Sequence, residues 1–366
     1  MNTETKSTSF VPRSGAVREF HHMVRPCDVT APFDRQLDSV IGECCALSRG
    51  CSAHFLRFFL SDAANQMPAL ESRLGQLPRE TAISIVQLRP LDGAKVEAWL
   101  YCTDPFETGG KGLSHNGRTH RWDACLTSEG EGSFAQMDGI FNNLDRTLAR
   151  EGMSVASSTV RTWIFVRDVD VNYQGVVAAR RIFFERIGLT PQTHYVASTG
   201  IEGSGPDCSS LVRMDAYSVD GLAEGQVRYL QAPDHLNPTY EYGVTFERGT
   251  AVTYGDRKHV FISGTASIDS HGEVLHKGDA AAQTSRLIDN VAALLSDAGM
   301  SLGDIAAAVV YLRDPSDYAT VKGVVESAVP LINAVYVHAP VCRPTWLVEM
   351  ECIALKDEGN PGFENF

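Results

Sequence analysis

The amino-acid sequence predicts an α+β fold of three tandem β-β-α-β-α-β-β units, with mixed sheets that carry their helices on one face and with the first unit degenerate. Three observations predict it. The chain has 366 residues, more than a single hydrophobic core usually serves. A helix–strand–helix segment recurs three times, and in each copy an Asp closes the strand. Strand-like segments flank each recurrence, and a unit of that order must set both helices on one side of its sheet.

In the first copy Leu37, Val40, Ile41 and Cys44 make one apolar helix face. Phe58-Phe59-Leu60-Ser61-Asp62 reads as the strand, and a second helix covers about 67–74. Strands at 83–88 and 95–102 follow, with a Pro-Leu-Asp-Gly turn between them. In the second copy the helix face is Met137, Ile140, Phe141, Leu144 and Leu148, and Gly152 ends it. The strand is 162–168, a helix starts near Tyr173, and strands at 195–199 and 209–217 follow. The third copy is complete. Strands at 244–253 and 259–263 precede a helix with Leu287, Ile288, Val291, Leu294, Leu295 and Ala298 on one face, and Gly299 stops it. A strand at 308–314, a helix from about Asp317 and strands at 333–341 and 346–355 complete the unit. In all three copies the Asp is placed to cap the next turn (Asp62, Asp168, Asp314). The expected division is a loose polar tail at 1–18, a degenerate unit at 19–107, a second unit at 108–235 and a complete unit with the main pocket at 236–366. The tail has no apolar stretch and does not read as a signal peptide.

Net charge is −13. An acidic surface repels phosphate backbones, which argues against nucleic-acid partners. No run of about 18 apolar residues is present, so no membrane span is expected. The nine cysteines form no CxxC pair. Cys44, Cys45, Cys51 and Cys352 sit among core-like residues, as reduced thiols of a cytoplasmic protein would. His21, His22, His115 and His120 match no metal-ligand spacing and read as solvated loop residues. Neither a metal nor a cofactor is expected. The glycine-rich stretch from Gly200 to Gly205 reads as a tight loop, with Ser198 and Thr199 beside it offering hydroxyls to a ligand.

One acid stands out on chemical grounds. Glu349 lies in the apolar strand Trp346-Leu347-Val348-Glu349-Met350-Glu351, and strand alternation puts Glu349 and Glu351 on one face. Apolar neighbours raise a carboxyl pKa, which suits a general acid. A half-exposed strand with both acids in water is the structural alternative.

Several stretches of the third unit together resemble the YjgF/Rid family. They are Ile262-Ser263-Gly264-Thr265-Ala266, Gly278-Asp279 with Gln283, Asn290-Val291, Ala298-Gly299, Val310-Tyr311-Leu312-Arg313-Asp314, and Val348-Glu349-Met350-Glu351-Cys352-Ile353-Ala354. A narrower resemblance, over about 155–355, is to the chorismatases. It rests on Arg161-Thr162-Trp163, Ala197-Ser198-Thr199-Gly200-Ile201, Tyr242-Gly243, Phe246-Glu247-Arg248, and Val341-Cys342-Arg343 ahead of Leu347-Val348-Glu349. Chorismatases split chorismate into pyruvate and a cyclic product. The resemblance implies Glu349 as the acid, Arg248 and Arg313 as contacts to substrate carboxylates, and Tyr242 as the residue that orients the ring. Thr199 and Gly200 would sit at the ligand. Cys342 occupies the position tied to product choice, where a cysteine is similar to the branch that yields 3-hydroxybenzoate. The chain departs from these families at two places. Tyr242-Gly243 runs into Val244-Thr245 where chorismatases carry an Arg, and Asn333 stands near where imine deaminases hold a carboxylate with an Arg. A Rid-type imine or enamine hydrolase and a non-catalytic small-molecule-binding protein are the rival readings. Rid proteins are homotrimers, so the expected assembly is a homotrimer or a monomeric pseudo-trimer.

Overall fold

The structure, a computed structural model, describes residues 2–15, 17–104 and 113–366. The expected boundary at 107/108 lies outside the described residues. Strands β1 (Thr3–Phe10), β2 (Arg18–Pro26), β3 (Ser52–Leu60) and β4 (Ala82–Gln87), the two-residue β5 (Arg89–Pro90) and β6 (Val96–Asp104) occupy the first part of the chain. All but β5 form a five-stranded sheet in the order β1-β2-β6-β3-β4, and α1 (Phe33–Leu47) and α2 (Ala63–Leu74) pack on one face of it. The next elements are β7 (Leu113–His115), β8 (Arg118–Leu126), α3 (Gly132–Ala149), α4 (Val155–Ser158), β9 (Thr159–Val166), α5 (Val169–Arg186), β10 (Ala197–Glu202) and β11 (Val212–Val219). Their sheet runs β10-β9-β11-β8-β7. The last part holds β12 (Val227–Tyr229), β13 (Gly249–Thr253), β14 (Lys258–Ala266), α6 (Ala280–Asp297), β15 (Ile305–Leu312), α7 (Tyr318–Ala328), β16 (Ala334–His338) and β17 (Val348–Lys356). With β5 at its edge it makes a seven-stranded sheet, β12-β13-β14-β17-β15-β16-β5. The fold is thus mixed α+β.

The three sheets share one pattern of pairing. A central strand (β3, β9 or β15) runs parallel to the strand after it and antiparallel to the last strand of its sheet (β6, β11 or β17). The amphipathic stripes dictate which face is covered. On α6, Leu287, Ile288, Val291, Leu294 and Leu295 are buried, Asp279 caps the start by accepting from Ala282 N–H, and Gly299 follows its end at φ +72°. The opposite faces of the sheets meet in a shared core where Phe55 and Trp99, Trp163 and Tyr217, and Phe261 converge. One buried ion pair crosses each seam: Arg57–Asp215 (2.8 Å), Arg161–Glu351 (2.6 Å) and Arg257–Glu19 (2.7 Å).

Some expectations fail here. Residues 3–10 are not a loose tail. They pair along their whole length with β2 as an edge strand, because alternating Thr and Ser suit a half-exposed pleat. His21, His22 and His120 are buried strand residues and not solvated loop residues. Burial pushes His21 down to about 3 and His120 well below the usual imidazole range. The hairpin β7–β8 and strand β12 had no counterpart in the sequence reading. Of the three expected caps, Asp62 and Asp314 accept backbone N–H groups, but Asp168 does not. Asp168 takes a left-handed φ of 49°, and Glu202 receives the N–H groups of Asp168 and Val169 instead. All nine cysteines are free thiols, and no helix among the described residues is long and apolar enough to cross a membrane.

Candidate active site

At the seam between the second and third sheets, the end of β10 meets the third sheet through bridges from Ala197 to Glu247 and from Ile201 to Val341. These contacts enclose a cavity of about 510 Å³. Glu349 enters it from β17, where it lies opposite Ala266 of β14 and Tyr311 of β15. It is 4% exposed, and its carboxyl group has no hydrogen-bond partner among the described residues. Burial, and then the charge of Glu351 on the same strand face, push Glu349 up to about 8, while Arg161 and Arg248 act in the opposite direction. At neutral pH it is a neutral acid.

Glu351, two residues on, is a different kind of group. It pairs with Arg161, accepts from Trp163 Nε1–H (2.8 Å) and receives the Thr199 hydroxyl. This polar layer lies beneath Glu349 and holds the strand in register. Thr199 belongs to that layer: its Oγ1 also accepts from Gly264 N–H (3.0 Å) and from Arg161, so it is not free for a ligand. Gly264 has a steric role. A methyl group there would overlap the Glu349 carboxyl, so Gly264→Ala should move the acid and lower turnover by about 100-fold. Steady-state kinetics with an unchanged melting temperature would check this.

Three arginines line the same cavity, and none is in an ion pair among the described residues. Arg248 donates to the Asn237 carbonyl from Nη2 (2.9 Å) and Nε (3.3 Å) and lies 5.3 Å from the Tyr242 ring centroid. Arg343 stands 5.1 Å from both the Tyr242 and Trp346 rings. Arg180, on α5, is 1% exposed. Among the described residues it makes only long contacts, to Thr245 Oγ1 (3.3 Å) and Ser198 Oγ (3.4 Å), and its Nη2 has no partner. A buried guanidinium with an unmatched N–H face is costly unless an anion meets it. Tyr242 is thus held between two guanidiniums, and burial pushes its phenol up.

Cys342 lines the cavity beside the Tyr173 hydroxyl. Burial, and then Glu349, hold the thiol well above its usual range, so it is present as a thiol and not as a thiolate nucleophile. Gly200 passes so close to Tyr173 that any Cβ would meet the ring at 2.9 Å.

Of the expected residues, the structure brings together Glu349, Cys342, Arg248, Tyr242 and Gly200. It leaves out Thr199, for the reason given, and Arg313. Arg313 pairs with Asp170 (2.9 Å) and donates to the Val341 carbonyl, so its charge is matched outside the cavity. Arg180, Tyr173, Arg343 and Trp346 were missed as site residues. The signal for Arg180 was a charge inside the apolar stripe Val176, Ala179, Phe183 and Phe184 of α5. Phe246 and Arg248 also line a wider groove of about 1110 Å³ outside the cavity.

The family described as Endoribonuclease L-PSP matches residues 249–356. Over 100 residues the chain is 36% identical to a RutC family protein of Pyrococcus abyssi, a match spanning 27% of this chain and 79% of that protein. Over 291 residues it is 26% identical to a protein of Streptomyces rapamycinicus named chorismatase, spanning 71% of this chain and 82% of that one. A crystal structure of a chorismatase superposes with a TM-score of 0.63 at 20% identity, over 82% of this chain and 92% of the other, which is a likeness of fold.

Proposed function

The chain belongs to the YjgF/Rid family, and on that premise we propose that it is a chorismatase-like enzyme that releases pyruvate from chorismate or a related enol-ether dicarboxylate. The observation that carries this reading is an acid held largely neutral, Glu349, in a cavity with three arginines that have no counter-ion among the described residues. Such a cavity calls for a substrate with more than one carboxylate and a centre to be protonated. Arg180 supplies a guanidinium where Val244-Thr245 replaces the expected arginine. Glu349 gives its proton to the enol-ether methylene carbon. The neighbouring ring hydroxyl then displaces the ether oxygen from its ring carbon, so that pyruvate leaves, an epoxide forms on the ring and the hydroxyl's proton returns to Glu349. Opening of the epoxide at the carbon that first bore the hydroxyl, with loss of the ring proton from the other carbon, leaves 3-hydroxybenzoate. The substrate's atoms divide between pyruvate and a hydroxybenzoate with no added water. Arg248 and Arg343 flank Tyr242, which orients the ring, and the Cys342 thiol shapes the wall that sets the product isomer. Asn333 is spent on the carbonyls of His21 (2.9 Å) and Ala306 (3.1 Å), so that strand offers no cation of the kind an imine deaminase would use.

The direct test is to incubate purified protein with chorismate, couple pyruvate to lactate dehydrogenase and separate the products. Pyruvate with 3-hydroxybenzoate supports the reading, and no pyruvate above background would sink it. The pH profile follows from the sign of the shift. The protonated form acts and its pKa is raised, so kcat/KM should hold across neutrality and fall about tenfold per unit above about pH 8. A profile that instead rises through that range would remove Glu349 from the role of acid.

We further propose that the chain is three tandem YjgF-like units, close to 19–107, 108–235 and 236–366 with β1 added to the first and β12 to the third, arranged as a pseudo-trimer in which the cavity is completed within one chain. A sedimenting species of one chain supports this. A stable homotrimer would mean that pockets form between chains.

A further inference from the structure

Strand register gives Glu349 a counterpart in each of the other sheets. Glu349 stands on β17 opposite Tyr311 of β15. Glu97 stands on β6 opposite Phe59 of β3, and Arg213 on β11 opposite Phe165 of β9. Each follows a valine: Val348, Val96 and Val212. At this place the second sheet carries an arginine and the first an acid.

Glu97 is 7% exposed. It lines a cleft of about 520 Å³ between the first and third sheets, nearly the size of the Glu349 cavity. The polar make-up of the two differs. Here Arg25 is matched by Glu4 (2.5 Å) and Asp92 (2.7 Å), and Lys6 by Glu326 (3.4 Å). Lys322 donates to the Tyr318 hydroxyl (3.4 Å), and its charge, like that of Arg25, also reaches Glu97. Glu97 and Asp92 are hydrogen-bonded carboxyl groups that share a proton, and burial followed by the Asp92 charge holds Glu97 well above the usual range. The Tyr336 hydroxyl is buried in the same wall without a hydrogen-bond partner among the described residues, and the Tyr318 and Tyr336 rings meet edge to face at 5.8 Å. An acid in the register of Glu349, a carboxyl pair with one proton to give up, an unmatched hydroxyl and two aromatic walls make a built site.

We propose that this cleft is a second small-molecule site, independent of the Glu349 cavity, and that it binds a small organic ammonium ion. The ammonium group sits on the Glu97–Asp92 pair in place of the shared proton, with the Tyr336 hydroxyl completing its acceptors. Its apolar body lies against Tyr318, Tyr336 and Met23. The Glu349 cavity, with three unmatched arginines, selects the opposite charge.

The test uses benzylammonium, benzyl alcohol and benzoate as probes of similar shape, with binding followed by calorimetry on the full chain. Benzylammonium should bind once per chain, with equal affinity for the wild type and Glu349→Gln. Glu97→Gln should weaken it about tenfold or more, and Tyr336→Phe, which removes only a hydroxyl, about threefold. Benzyl alcohol should bind more weakly than benzylammonium. The proposal is overturned if the wild type does not take up millimolar benzylammonium, or if Glu97→Gln binds it as well. Should Glu97→Gln fail to fold, unchanged binding in Tyr336→Phe overturns it. A preference for benzoate that survives Arg180→Met, and so does not arise in the other cavity, does the same.

Discussion

Glu349→Gln is expected to lower kcat for pyruvate release by about 10²–10⁴-fold while KM and the melting temperature stay nearly constant. Glutamine keeps the shape and polarity of the neutral acid that occupies the site at pH 7. The side chain makes no ion pair whose loss would unsettle the fold, since the structural anion of that strand is Glu351. Only the transferable proton disappears. Because protonation of carbon is the step that creates the oxocarbenium ion, the loss falls on the transition state and not on binding. A variant with full activity on a proven substrate would dismiss Glu349 as the acid. A variant that binds chorismate but turns nothing over would leave the site assignment standing.

Arg180→Met should move affinity and stability in opposite directions. The guanidinium is buried against Thr245, Ser198 and the Phe246 ring (5.8 Å to Cζ), with one nitrogen unsatisfied. Its desolvation is not offset within the protein, so a thioether of similar length should raise stability by about 1 kcal/mol. The same change removes a donor to a substrate carboxylate, and kcat/KM should fall by about 100-fold. Arg180→Lys should recover only part of that, because an ammonium cannot match a carboxylate through two parallel hydrogen bonds. Thermal melts beside steady-state kinetics would test both halves. A variant that is less stable and equally active would make Arg180 a packing residue only.

The parts of the fold that could be read from sequence are those where periodicity and burial coincide. The stripes of α3 and α6 were plain, since one face of each meets a sheet and the other meets water. The N-terminal strand was not, because its Thr and Ser residues carry little hydrophobic signal and its partner, β2, holds buried histidines. His21 of β2 and His120 of β8 looked like polar loop residues, yet the shared core buries them against Trp99 and Tyr217. The burial of Glu349 was legible from its apolar strand. Arg180 was hidden on a helix whose remaining contacts are ordinary core. Arg313 failed for a local reason: it lies one residue past the end of β15, near Asp170, and that acid takes its charge.

The three buried ion pairs have a consequence for how the chain closes on itself. Asp215 and Glu351 occupy matching places, two residues beyond Arg213 and Glu349, but in the first sheet that place holds Trp99. Arg57 of the first sheet finds Asp215 of the second, and Arg161 of the second finds Glu351 of the third. The third seam instead uses Arg257 and Glu19. If the sheets docked in the reverse cyclic order, Arg161 would face a tryptophan and Asp215 would lose its cation. Each orphaned charge would cost several kcal/mol. The order in which the three sheets meet is therefore written into which sheet lacks an acid at this place.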